Sequence, residues 1–146
     1  MNLRISLPIL AFGIILSANK CAGPADATAT GNSGISGGKW TLRSIAGQAY
    51  KLPEGVEVPY LQVDSAMERI SGFGGCNRLM GGISIHGDSI SFPMMGSTKM
   101  YCEETQELER SFMQALGNST TFSVKDDKLT LSGQGQEQAV LQLEAE

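Results

Sequence analysis

The stretch whose reading decides the fold is Gly72-Phe73-Gly74-Gly75-Cys76-Asn77-Arg78-Leu79-Met80-Gly81. Plausible strands flank it on both sides. Glycine inside a strand pattern weakens it, so it marks a bulge, a sharp bend or a place where another segment packs on bare backbone. A cysteine and an asparagine at such a bend make a compact polar centre rather than more sheet. A second cysteine stands in Ser97-Thr98-Lys99-Met100-Tyr101-Cys102, just ahead of the one amphipathic helical pattern. The folded domain is therefore expected to be organised around the meeting of these two segments.

Outward from this centre the apolar pattern has a period of two. Trp40-Thr41-Leu42-Arg43-Ser44 alternates as a strand, Tyr60 to Val63 gives a short one, and Ala66 to Gly72 another, with Met67, Arg69 and Ser71 on one face. Gly82 to His86 alternates, Gly87-Asp88 turns the chain, and Ser89 to Phe92 completes a hairpin with Ile90 and Phe92 inward. Thr121 to Val124, Lys128 to Ser132 and Ala139 to Leu143 follow, separated by turns at Asp126-Asp127 and Gly133-Gln134-Gly135. Only Glu103 to Leu116 departs, with Leu108, Phe112, Ala115 and Leu116 at helical spacing, Thr105 as N-cap and Gly117 as the C′ residue. The expected fold is mainly β with one helix, of α+β type: an antiparallel, curved, partly open barrel with a single amphipathic helix packed on it.

The chain of 146 residues divides into three parts. Residues 1–20 read as an export signal, with Arg4 ahead of the apolar run Ile5 to Leu16. Residues 21–38, rich in Gly, Ala, Ser and Thr, read as a flexible tether, leaving 39–146 as the domain. Cys21 is a candidate for lipidation, although Ala18-Asn19-Lys20 fits a lipobox badly, and Ala25-Asp26-Ala27 offers a rival cleavage site. The expected location is exported: periplasmic or lipid-anchored at the outer membrane, alternatively secreted, and in contact with a membrane only through that anchor.

The pairing of Gly72, Gly75, Cys76, Asn77 and Gly81 with Ser97, Thr98, Met100 and Cys102 resembles the META domain, the HslJ-like family. The Trp40-Thr41-Leu42 opening and the Leu129-Thr130-Leu131 strand agree with it, whereas Tyr101 stands where the family usually has a small residue. The resemblance implies an interrupted β-barrel with a helix. It also implies a small envelope-associated or secreted protein, often a lipoprotein, linked to heat response or drug tolerance, with no established enzymatic activity.

Cys76 and Cys102, in an exported chain, suggest a structural disulfide, with two buried thiols as the alternative. Met80, Met94, Met95 and Met100 near them raise a soft-metal site, against the plainer reading that methionine fills an irregular core. No metal ligand set and no cofactor are nominated. His86 is the only histidine and sits beside a turn, and Glu103, Glu104, Glu107 and Glu109 read as a solvated helix start, so no catalytic residue is nominated and the chain is read as a non-enzyme. Without Arg4 and Lys20, nine basic residues face fifteen acidic ones, a balance of −6 with no basic cluster, which argues against nucleic acid. The expected function is that of a monomer binding an unknown envelope protein or serving in envelope stress. The alternative is a carrier of a small apolar ligand between helix and sheet, with Phe112 and Leu116 lining its cavity.

Overall fold

The computed structural model of the protein describes residues 34–145. Ten strands form one antiparallel sheet: β1 (Lys39–Ile45), β2 (Tyr60–Asp64), β3 (Arg69–Phe73), β4 (Arg78–Gly82), β5 (Ser84–His86), β6 (Ser89–Ser91), β7 (Gly96–Ser97), β8 (Thr121–Lys125), β9 (Lys128–Gly133) and β10 (Gln136–Leu143). Among the described residues a single helix, α1 (Gln106–Asn118), lies between β7 and β8. Across the sheet the order is β5-β6-β8-β9-β10-β1-β2-β3-β4-β7. The two ends are tied by the chain itself, because only Ile83 separates β4, near one end, from β5 at the other. The sheet must therefore curl until its ends approach. Gly82 N–H donates to Pro93 O at 2.8 Å across that approach. The result is the curved, partly open barrel with one helix that the pattern predicts.

Alternation decides which residues fill it. Trp40 and Leu42 of β1, Leu61 and Val63 of β2, Ile70 of β3 and Leu79 of β4 point inward and join Leu129, Leu131, Ala139 and Leu141 in one cluster. Phe112, Ala115 and Leu116 of α1 complete it, packing on β9, β10 and β1. The hairpin turns Asp126-Asp127 and Gln134-Gly135 have positive φ at both residues, the geometry a two-residue connection between twisted strands requires.

Several sequence expectations shift. Ala66 and Met67 are not strand; the chain turns at residues 65–68, where Glu68 has φ 50°, and β3 starts at Arg69. Gly82 to His86 is not one strand but the end of β4, a break at Ile83, and β5. Ile35, placed by composition in the tether, is buried in the core, and its carbonyl accepts the Trp40 Nε1–H bond at 3.0 Å. Packing thus begins ahead of Lys39. The helix runs past Gly117 to Asn118, so Gly117 is not its C′ residue. Ser119 ends the helix, its N–H donating to Leu116 O at 3.2 Å and its hydroxyl to Ala115 O at 2.7 Å. Residues 1–33, including Cys21, the export segment and most of the tether, lie outside the described residues.

Candidate functional site

Strands β3 and β4 are the arms of a tight hairpin whose turn is Gly74-Gly75-Cys76-Asn77. Each glycine here has its own reason. Gly75 sits at φ 109°, where a side chain is strained. At Gly72, within β3, a Cβ would run into Tyr60 O of the neighbouring strand, and at Gly74 it would lie 2.7 Å from Glu109 Oε2. Gly81 and Gly82 give bare backbone to the segment Pro93 to Met95. Apart from Gly75, which the turn geometry requires, the glycines of the motif therefore serve close approach.

The approach brings Asn77 to the centre of a saturated polar junction. Asn77 is buried. Its Oδ1 accepts from Thr98 Oγ1 and from Met100 N–H, both at 2.8 Å, while its Nδ2 donates to Met100 O at 3.1 Å and to Glu109 Oε1 at 2.9 Å. A carboxamide has two donors and two acceptor sites, and all four are used. The Asn77 backbone N–H donates to Glu109 Oε2 at 2.6 Å, and its carbonyl accepts from Gly74 N–H at 2.9 Å. The side chain of Asn77 thus pairs with both backbone groups of Met100, as one more residue of strand would.

Two residues before Met100, Thr98 N–H donates to Arg78 O at 3.2 Å and its hydroxyl accepts from Arg78 N–H at 3.2 Å. The two motifs are joined covalently as well. Cys76 and Cys102 form a disulfide with Cα atoms 5.8 Å apart. Cys76 Sγ, 3.5 Å from Met100 O, has no proton to donate.

Geometry assigns each motif residue a place. Gly75, Cys76, Asn77, Thr98, Met100 and Cys102 meet at this junction, Gly72 lies outside it in β3 against Tyr60 of β2, Ser97 pairs with Leu79, and Gly81 stands further along β4 against Met95. Glu109, read from sequence as solvated, is instead half-buried and holds the junction to α1. Its signal was its spacing: with Phe112 and Leu116 it occupies positions i, i+3 and i+7 of one helix face. Thr105 takes the N-cap position, but its hydroxyl makes no capping bond and is buried without a partner.

The remaining candidates separate. Met80, Met94 and Met100 are exposed, whereas Met95 packs against Gly81. The sulfurs of Cys76 and Cys102 are spent in the disulfide, so among the described residues no thiolate is left for a soft metal. Among the described residues, no group of three or more His, Cys, Asp or Glu gathers as a ligand set. His86 is exposed at the end of β5, 3.3 Å from Ser84 Oγ. Phe112 and Leu116 are fully buried in packed contact with the sheet rather than lining an opening.

A 480 Å³ crevice beside the disulfide is lined by Glu57, Phe73, Cys76, Arg78, Thr98 and Met100. On the same outer face, Tyr60 and Phe73 lie with ring centroids 6.4 Å apart, and the Lys39 ammonium sits 4.4 Å from the centre of the Tyr60 ring. Tyr50, on the β1–β2 connection, donates its hydroxyl to Leu42 O at 2.6 Å, and burial holds its ionisation above the ordinary tyrosine value.

Comparison with known proteins places this architecture. Among curated proteins nothing matches the chain. Among solved structures, one of a Burkholderia xenovorans protein is 22% identical with a TM-score of 0.63, covering 77% of this chain and 85% of its own. A second NMR structure is 20% identical with a TM-score of 0.60, covering 76% and 92%. A crystal structure of a DUF4847 family protein from Bacteroides vulgatus is 13% identical with a TM-score of 0.53, covering 75% and 93%. At these identities the likeness is one of fold. The META domain profile matches residues 33–146, which include Ile35 and both halves of the disulfide-bridged junction. The chain belongs to the META domain family.

Proposed function

We propose that the chain is an exported, non-catalytic protein of the cell envelope that works by binding another protein, in the context of envelope stress or drug tolerance. The observation that carries this reading is the saturation of the motif. Asn77, Thr98, Met100 and Glu109 spend their polar groups on one another, and Cys76 and Cys102 on their disulfide. A catalytic group must reach a substrate with a free nucleophile, acid or base. A motif consumed internally supports a role in shaping the surface around it. The disulfide fits an oxidising compartment, which supports export. Cys21 remains the proposed anchor.

The test has two arms on the full chain expressed in its own host. Mass determination of the mature N-terminus distinguishes acylated Cys21 from cleavage within residues 25–27. Reversible crosslinking in the envelope followed by capture is expected to recover a discrete protein, lost when the Gly72–Gly81 hairpin is disrupted by Gly72→Val. Retention of the chain in the cytoplasm would overturn the export reading. Equal recovery with unfolded and folded protein would overturn the binding reading.

A further inference from the structure

The sheet has an open end at β7, and the junction shapes it. Thr98 exchanges bonds with Arg78, and Met100 gives both its N–H and its C=O to the Asn77 carboxamide. In an antiparallel ladder, residues facing the neighbouring strand alternate with residues facing away. Ser97 and Lys99 therefore turn their backbone groups away from β4, toward the unpaired side of the last strand in the sheet. By standing in for a strand residue, Asn77 keeps this edge extended beyond the two residues of β7.

The edge is also dressed with apolar side chains. Of the five large exposed hydrophobic residues among the described residues, Met80, Met94, Met100 and Tyr101 lie on β4 or on the segment carrying this edge; Met67 is the exception. Met100 is 67% and Tyr101 74% exposed, although methionine ranks among the residues most often buried. The 480 Å³ crevice opens beside Met100 and Thr98 on the outer face. Above Gly96 a Cβ would meet nothing, so a neighbouring side chain has room there. Lys99 and Arg78, both exposed, put positive charge at this rim of an acidic protein.

We propose that residues 96–101 form a docking edge for an extended segment of a partner protein, apolar at alternate positions and acidic between them. This rests on the protein-binding reading above and names its site. The segment pairs its backbone with Ser97 and Lys99 as an added strand. Its apolar side chains, on the outer face, lie over Gly96 and beside Met100, while its carboxylates, on the opposite face, meet Lys99. Methionine, unbranched and polarisable, suits a surface that accommodates more than one apolar shape.

The experiment selects random displayed peptides on the oxidised full chain and synthesises the enriched sequences. Their affinity is measured by fluorescence anisotropy for the wild-type chain and for Ser97→Pro and Lys99→Glu. Proline at residue 97 removes an outward N–H that β4 does not use. Enrichment of alternating apolar and acidic sequences is expected, with binding weakened about tenfold by either substitution. N-methylation of alternate peptide amides should weaken binding similarly, which keeps the test valid should Ser97→Pro fail to fold. No enrichment, or enriched peptides that bind Ser97→Pro unchanged and tolerate N-methylation, would overturn the edge. A concentration-dependent dimer abolished by Ser97→Pro would make the occupant a second copy and overturn the proposal in this form. Captured envelope protein unaffected by Ser97→Pro would sink the edge while leaving the binding reading intact.

Discussion

Replacing Asn77 with alanine removes four side-chain hydrogen bonds at once: two to Met100, one to Thr98 and one to Glu109. Neutral bonds are worth about 1 kcal/mol each and a bond to a carboxylate about 2 kcal/mol, for a simple total of about 5 kcal/mol. That total is too large. Met100 is 67% exposed, so water can take over its N–H and C=O once the carboxamide is gone. Discounting those two bonds leaves about 3 kcal/mol for the loss of the Thr98 and Glu109 contacts in a buried position. Urea unfolding of the oxidised protein should show this as a lower midpoint at unchanged slope. A double-mutant cycle with Glu109→Ala isolates the bond to the helix, with an expected coupling of about 1.5 kcal/mol. A cost for Asn77→Ala below about 1 kcal/mol, or a coupling within about 0.3 kcal/mol of zero, would refute the junction as a structural centre.

Gly72→Ala drives a Cβ into the Tyr60 carbonyl and should cost about 3 kcal/mol, whereas Gly96→Ala meets open space and should stay within about 0.5 kcal/mol, both by urea midpoint. A chain beginning at Lys39 loses buried Ile35 and the carbonyl that Trp40 Nε1 uses, and should be about 3 kcal/mol less stable than one beginning at residue 33. Replacing Cys76 and Cys102 together by alanine opens a loop of sequence separation 26, and chain entropy sets the loss near 3.5 kcal/mol. Because burial raises the ionisation of Tyr50 above 10.0, its contribution is complete below that value and is lost as pH rises through the higher folded value. Stability measured through strongly alkaline pH should therefore fall, and Tyr50→Phe should flatten the slope.

Strand and helix signals survive translation into the fold where one face of an element is buried. Trp40, Leu42, Leu61, Val63, Leu129 and Leu131 alternate because the inside of the barrel admits every second side chain, and that constraint writes itself into sequence. Turns with positive φ were visible too, through Asp126-Asp127 and Gln134-Gly135. β4 was hidden because it contains Gly81 and Gly82, whose bare backbone serves Met95 and Pro93, contacts that no local pattern encodes. Ile35 was hidden by the composition of its neighbours, since one buried side chain can anchor a segment that otherwise reads as unstructured. Thr105 and Gly117 carried the usual end signals for a helix, yet local bonds from the Ser119 hydroxyl to Ala115 O and from its N–H to Leu116 O set the C-terminal end at Ser119.

The spacing of the two motif halves follows from what the junction must hold. The hairpin turn at Gly74–Asn77 lies at the end of two strands, and α1 begins with an uncapped Thr105 just after Cys102. The disulfide fixes only the distance between the turn and the chain entering the helix. It says nothing about how residues 97–101 lie between them. Asn77 supplies that information, because four directional bonds, unlike one covalent link, dictate orientation as well as proximity. Glu109 then relates the same asparagine to the helix axis, so turn, edge and helix share one reference point. A surface built this way can be rigid in its backbone while its exposed methionines remain adaptable, the combination that recognition of an extended segment needs.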